Sequence, residues 1–285
     1  MSSFKTIRPS DLSAAQLQAY LQGAVAPRPI AFASTIDQDG QVNLSPFSFF
    51  NLFSTKPPVL IFSPARRVRD NTTKHTLENA LAVPEVVINV VNYAIVEQAS
   101  LASTEYDKNV NEFVKAGLTP IPSEIVKPPR VAESPVSFEC KVQQVIPMGT
   151  EGGAGNLILC EVLLMHINEA ILDEKGAISP FKIDLVARMG GDWYCRANGE
   201  ALFEIPKPLT TKGIGIDQLP TAIRQSNVLT GNNLARLANI EKLPTLESLA
   251  AVAAPTVSPA DKHLKAKELL DAGKLLEAWK VLLQD

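Results

Sequence analysis

Short runs of apolar and β-branched residues recur along the first 200 residues, which is the pattern of β-strands. Turn residues separate these runs, and Asp39-Gly40 predicts a hairpin turn between the first two. The runs cover residues 29–36, 42–50, 59–63, 86–92, 136–146, 157–168, 183–189 and 193–196. Because no regular strand–helix–strand unit repeats, the pattern favours a mainly β fold with a closed barrel over a doubly wound parallel sheet.

Apolar residues spaced three or four positions apart predict a few helices among these strands. Residues 13–22 form one such pattern, and Gly23 follows as a stop. Residues 72–82 form another, which Pro84 ends. The segment 94–117 predicts short helices and turns. We therefore expect a barrel with inserted helices.

Helix-forming residues dominate beyond about residue 205, so we predict two domains, residues 1–205 and a helical C-terminal extension, residues 206–285. The helices of the extension are predicted at 218–225, 233–239 and 246–252 and, after a linker at 250–259, in a final pair broken at Gly273. A lone helical hairpin cannot bury its own apolar face. We therefore expect the final pair to dock on the barrel or on a partner.

Composition excludes several classes of partner. The net charge of −3 gives no basis for binding nucleic acid or an anionic membrane. The N-terminus lacks the pattern of a signal peptide, and no apolar run approaches the roughly 20 residues of a spanning helix. The three cysteines, Cys140, Cys160 and Cys195, form no C-x-x-C pair and fit buried thiols in a reducing compartment. We expect a soluble cytoplasmic protein.

Several common catalytic motifs are missing from the sequence. There is no G-x-x-x-x-G-K-[ST] phosphate loop, and the glycine cluster at 149–155 lies between two predicted strands, so we interpret it as a flexible hairpin loop. None of the three histidines, His75, His166 and His263, has a neighbour at metal-ligand spacing. We therefore expect no metal site.

Residues 43–51 mix hydrogen-bonding side chains with aromatic residues and a proline. Ser45, Ser48 and Asn51 offer hydroxyl and amide groups, and Pro46 removes a ladder donor and bends the chain. A flat heteroaromatic ring with polar edges needs this mixture of apolar surface and donors. An edge strand followed by a turn explains the segment equally well.

A second group of residues predicts an anion site. Arg66 and Arg67 follow a strand, and Thr72-Thr73-Lys74-His75-Thr76 opens a helix. Hydroxyls, a lysine and free N–H groups at a helix start suit a phosphate monoester, although a solvated basic helix start has the same composition. A ring site and a phosphate site together indicate a mononucleotide flavin.

Several separated motifs occur in a fixed order over roughly residues 20–200. They are Pro27-Arg28-Pro29-Ile30-Ala31-Phe32-Ala33-Ser34-Thr35, Gly40, the 43–51 segment, Pro57-Pro58, Thr73-Lys74-His75-Thr76 with Asn79, Phe138-Glu139-Cys140, Glu161-Val162 with His166, and Arg188-Met189-Gly190-Gly191 with Tyr194. In residues and order these motifs resemble a known family, the flavin reductase-like FMN-binding split barrels, which include flavoredoxin. His75 stands where the family commonly has Asp.

The resemblance implies a Greek-key type of split β-barrel and a homodimer that binds FMN near the subunit interface. By position, Ser45, Pro46, Phe47 and Ser48 would line the isoalloxazine, with Asn51 nearby. Ser63, Arg67, Lys74 and Thr76 would hold the ribityl phosphate.

The resemblance also implies an NAD(P)H-dependent flavin reductase, in which NADH or NADPH gives a hydride to the flavin N5. The alternatives are an oxidase of the pyridoxamine-phosphate type, a flavoredoxin-like electron carrier without nicotinamide turnover, and a flavin- or haem-binding module without catalysis. Small-molecule electron donors and acceptors are the expected partners. His166 is the one candidate for proton movement or flavin tuning, with structural packing as the other interpretation.

Overall fold

The computed structural model describes residues 3–207 and 212–284. The chain divides into two units, Met1–Phe203 and Glu204–Asp285, and each has its own hydrophobic core. No helix of the described ranges is long and apolar enough to cross a membrane.

The first unit is mainly β. Its strands are β1 (Ala31–Ile36), β2 (Val42–Phe47), β3 (Phe50–Thr55), β4 (Pro58–Phe62), β5 (Glu85–Val90), β6 (Pro120–Ile121), β7 (Arg130–Val131), β8 (Val136–Pro147), β9 (Asn156–Ile167), β10 (Leu185–Gly190) and β11 (Trp193–Ala197). Seven of them form one antiparallel sheet in the order β2-β1-β5-β8-β9-β4-β3. Strands β6 and β7, and β10 and β11, form two separate hairpins.

Five α-helices lie among these strands. They are α1 (Ala14–Ala24), α2 (His75–Ala82), α3 (Val96–Leu101), α4 (Glu112–Ala116) and α5 (Pro180–Ile183). The side chains of Ser13 and Gln16 form a capping box that fixes the start of α1, and this helix continues past the predicted stop at Gly23. The predicted helix at 72–82 begins only at His75, so Lys74 precedes the first helical residue.

The sheet curls back on itself, because its two end strands are consecutive in the chain. Phe47 at the end of β2 pairs with Ala31, whereas Phe50 at the start of β3 pairs with Phe62 of β4. The rings of Phe47 and Phe62 are 5.3 Å apart between centroids. The inner faces of β1, β2, β4, β5, β8 and β9 therefore enclose one core cluster.

The single strand predicted at 42–50 is thus two strands with a break at Ser48-Phe49. The sequence did not predict β3, because this edge strand exposes Leu52 and Phe53 and shows no alternation of buried and exposed positions. Two of the thiols expected to be buried, Cys140 and Cys160, lie in the core, and Cys195 is half-buried.

The second unit contains α6 (Thr221–Arg224), α7 (Gly231–Ala238), α8 (Lys262–Asp271) and α9 (Leu275–Leu282). The helix predicted at 246–252 is a series of turns. The final hairpin, α8 and α9, does not need the barrel to bury its apolar face. Trp279 and Leu270 are fully buried against Leu219, Ile223 and Leu237 of the same unit, so the preceding residues supply the missing surface.

Candidate functional site

Residues 63–74, the segment that joins β4 to α2, are fixed around the guanidinium of Arg67. Arg67 Nε donates to Glu105 Oε1 at 2.9 Å, and Nη1 donates to Thr72 Oγ1 at 2.9 Å and to the Thr73 carbonyl. Planar guanidinium donors hold such partners in defined directions. The segment therefore presents Arg67 in one orientation beside the start of α2.

A polar cleft lies between the start of α2 and the loop after α3. Its enclosed volume is about 20 Å³, which is room for one water molecule, and the rest of the depression is open to solvent. Four of the residues that the sequence predicted for a flavin line it: Ser45, Arg67, Lys74 and Thr76. The remaining wall consists of Asn43, His75, Glu112 and the residues Ala102, Ser103, Thr104, Glu105 and Tyr106.

Lys74 is the unpaired cation of this cleft. Its side chain makes no hydrogen bond or ion pair with any residue in the described part of the chain. Burial lowers the pKa of Lys74, the nearby Arg67 lowers it further, and Glu105 acts in the opposite direction. A half-buried ammonium group without a partner is unfavourable by itself, so an anion in the cleft would stabilise its charged form.

Two donors adjoin this ammonium group. Asn43 Nδ2 donates to Thr76 Oγ1 at 2.8 Å, which leaves the Thr76 hydroxyl hydrogen free to donate elsewhere. No side chain caps the start of α2, so the first N–H groups of this eight-residue helix have no side-chain acceptor. Lys74, Thr76 and the helix start together form a site with the chemistry of a phosphate-binding site.

Two carboxylates in the cleft were not predicted from the sequence. Glu105 bridges Arg67 and Arg69, with a distance of 2.6 Å from its Oε2 to Arg69 Nη2, and hydrogen bonds from the two guanidinium groups lower its pKa. Glu112 is buried and accepts from the Leu44 backbone N at 3.0 Å, and burial raises its pKa. Both lie in the 94–117 segment of short helices and turns, where no motif marks a carboxylate as part of a site.

The bond from Leu44 to Glu112 also explains a proline inside a strand. The N–H of Leu44 points away from β1. Because the backbone N–H and C=O groups of successive residues point to opposite edges of a strand, the backbone nitrogen of Pro46 faces the same free edge as that of Leu44. Its missing N–H therefore costs no hydrogen bond to β1. The carbonyl of Pro46 shares this free edge, next to Ser45 in the cleft.

The other residues predicted for the flavin do not line the cleft. Phe47 is buried in the core against Phe62. Ser48 Oγ accepts a long hydrogen bond of 3.4 Å from Arg28 Nε, and Asn51 is exposed on β3. Ser63 is buried at the end of β4. The structure thus gathers the predicted phosphate residues more closely than the predicted ring residues.

His166 lies apart, in contact with a buried carboxylate. Its Nε2 is 2.6 Å from Glu139 Oε1, and Glu139 also accepts backbone N–H bonds from Glu124, Ile125 and Val126. Burial tends to raise the pKa of Glu139, but the hydrogen bonds outweigh it and leave the pKa below the usual value. These contacts hold the 124–126 turn on β8, which is a structural role.

Comparisons with known proteins agree with the fold. The family model described as "Flavin reductase like domain" matches residues 24–181, which include every residue of the cleft.

An uncharacterized protein from Aquifex aeolicus (strain VF5) is 42% identical over 183 residues, 64% of this chain and 91% of that protein. Nitrilotriacetate monooxygenase component B from Bacillus cereus is 28% identical with a TM-score of 0.67, over 72% of this chain and 100% of that chain. A protein from Shewanella frigidimarina NCIMB 400, described as a flavin reductase with a split barrel domain, is 27% identical with a TM-score of 0.59, over 70% and 95% of the two chains.

Proposed function

We propose that this chain, which belongs to the flavin reductase-like family, is an FMN-binding oxidoreductase that uses NADH or NADPH to reduce flavin. The family supports a flavin-linked oxidoreductase. The choice of FMN rests on the chemistry of the cleft, and the choice of a nicotinamide as reductant rests on the resemblance of the sequence motifs.

The observation that carries the proposal is the unpaired ammonium group of Lys74. It lies in the same cleft as the Thr76 hydroxyl and the uncapped start of α2. A phosphate monoester would supply the missing counter-charge and accept from all three kinds of donor. The donor set thus fits the ribityl phosphate of FMN, and Lys74, Thr76 and Arg67 are the residues that would hold it.

Residues at the other side of the cleft would orient the flavin ring. Ser45 offers a hydroxyl, and the edge of β2 leaves the carbonyl groups of Leu44 and Pro46 turned away from β1. Such edge groups match the polar rim of a flat ring. When bound, FMN would supply the redox chemistry, with the nicotinamide as the source of the hydride. The chain's own contribution is to bind the phosphate, to orient the ring and to limit access of water.

The proposal also includes a homodimer, with FMN near the subunit interface. The support is the surface of β3, where Leu52 and Phe53 are 55% and 63% exposed on a strand at the end of the sheet. Exposed apolar side chains on an edge strand favour association with another chain. The domain assignment of 1–205 as flavin domain and 206–285 as helical extension, and the Greek-key type of connection, belong to the same proposal.

Anaerobic reduction of the FMN-loaded chain tests this function. We expect NADH or NADPH to bleach the flavin absorbance, and added free flavin or another acceptor to restore it with turnover. A chain that retains FMN and is reduced by dithionite but by neither nicotinamide would be an electron carrier. A chain that takes up no FMN would contradict the proposal as a whole.

A further inference from the structure

The loop of residues 149–155, here called the glycine loop, joins β8 and β9 and lies directly on the segment that carries Arg67. The backbone N of Arg66 donates to the Ala154 carbonyl at 2.8 Å, and the backbone N of Gly153 donates to the Arg66 carbonyl at 2.9 Å. Next to the loop, Asn156 Nδ2 donates to the Pro64 carbonyl at 3.0 Å. The loop is the predicted hairpin connection between two strands, and part of it also packs on the backbone of residues 64–66.

Two glycines allow this close approach. A Cβ at position 152 would lie 3.1 Å from the Arg67 carbonyl oxygen and 3.1 Å from Val68 Cα. A Cβ at position 155 would lie 2.7 Å from Ser63 Oγ. Neither Gly152 nor Gly155 has a positive φ, so the backbone conformation at these positions is open to any residue. The backbone of Arg67 and Val68 at position 152, and the Ser63 hydroxyl at position 155, leave too little space for a Cβ, so it is space and not backbone conformation that favours glycine there.

We propose that Gly152 and Gly155 are positioning residues for phosphate recognition, because they let the glycine loop hold the backbone of Arg67 at the edge of the cleft. This inference rests on the proposed FMN site. Arg67 has partners on both sides of its guanidinium, Glu105 and the pair Thr72 and Thr73. A backbone shift at residue 67 would change all of these distances at once.

The displacement of the neighbouring backbone should grow with the size of the side chain placed at position 152. An alanine at position 152 needs the neighbouring backbone to move by a few tenths of an ångström, and a valine needs more. Loss of one charge-assisted hydrogen bond corresponds to about a tenfold or larger loss of affinity. We expect the affinity for FMN to fall by about that factor in Gly152→Val and by less in Gly152→Ala.

Riboflavin carries the same ring as FMN but no phosphate. A general loss of packing would weaken the binding of both ligands, whereas a loss of phosphate recognition would weaken the binding of FMN alone. Dissociation constants for FMN and for riboflavin are measured on the full chain by quenching of flavin fluorescence. The quantity compared is their ratio. Gly149→Ala is the matched control, since a Cβ there would meet only Ala154 Cβ, at an ordinary 3.4 Å.

In Gly152→Ala and Gly152→Val we expect a smaller preference for FMN over riboflavin, with an unchanged affinity for riboflavin. In Gly149→Ala the ratio of the two dissociation constants should equal that of the wild type. In an Arg67→Ala background, Gly152→Ala should have no further effect on the ratio, because both changes act through the same side chain. A ratio unchanged in Gly152→Ala, or reduced equally in both backgrounds, would overturn the inference. A wild-type chain without preference for FMN would instead contradict the proposed phosphate site itself.

Discussion

Replacing Lys74 by methionine removes the ammonium group of the cleft and keeps a side chain of similar length. The structure predicts two effects of opposite sign. The flavin-free chain loses an unpaired, half-buried charge, so its free energy of unfolding should stay the same or rise. The FMN complex loses a charge-assisted hydrogen bond to phosphate, so the affinity for FMN should fall.

The magnitude follows from the partners that remain. A hydrogen bond to a charged group contributes about 1.5–3 kcal/mol, which corresponds to roughly a tenfold to 150-fold change in the dissociation constant. Arg67 already pairs with Glu105, so it cannot replace Lys74 in full. We therefore expect the effect to lie within this range and not to vanish.

The pH dependence gives the same prediction an independent check. Because burial and Arg67 lower the pKa of Lys74, its ammonium group loses its proton at a lower pH than an exposed lysine does. Phosphate binds the protonated form, so FMN affinity should weaken as pH rises through that lowered pKa. In Lys74→Met this weakening should be absent.

Isothermal titration with FMN and riboflavin, together with urea denaturation of the flavin-free chain, measures these quantities. Lys175→Met, which changes an exposed lysine in a turn outside the cleft, is the control. The reasoning would be refuted if Lys74→Met bound FMN as tightly as the wild type, or if it lost riboflavin affinity to the same extent as FMN affinity.

Two further predictions concern the carboxylates. Glu139→Ala leaves His166 and three backbone N–H groups, one buried and two half-buried, without their acceptor. We therefore expect a loss of about 3 kcal/mol or more in the free energy of unfolding, and a loss below about 1 kcal/mol in urea denaturation would contradict the structural role of this carboxylate. Glu105→Gln weakens the partly exposed ion pairs with Arg67 and Arg69. The free energy of unfolding should therefore fall by less than about 1 kcal/mol in the same assay. A fall of several kcal/mol would contradict this expectation.

Local signals in the sequence were sufficient for much of the fold. Apolar runs of strand length and turn residues predicted β1, β5, β8 and β9 within a few residues, because these strands have at least one face in a continuous core. The same reasoning failed at Ser48-Phe49. At that point the chain leaves β2, the strand at one end of the sheet, and enters β3, the strand at the other end. Only the pairing of Phe50 with Phe62 reveals this break.

The candidate site shows the same limit. Ser45, Arg67, Lys74 and Thr76 could be predicted as a group, because each carries a donor beside a strand end or a helix start. Glu105 and Glu112 could not, since their position depends on how the 94–117 segment folds over the cleft. The glycine loop was predicted correctly as a hairpin loop between two strands, but its packing on Arg66 and Arg67 was not predicted. Its composition is that of a free hairpin tip, and its contact with Arg66 and Arg67 is visible only in three dimensions.

A crystal structure of the chain grown with FMN would test the central claim most directly. The account predicts the FMN phosphate in the cleft, within hydrogen-bonding distance of Lys74 Nζ and Thr76 Oγ1, at the start of α2. A phosphate bound elsewhere, with Lys74 still unpaired in the flavin-loaded chain, would contradict it.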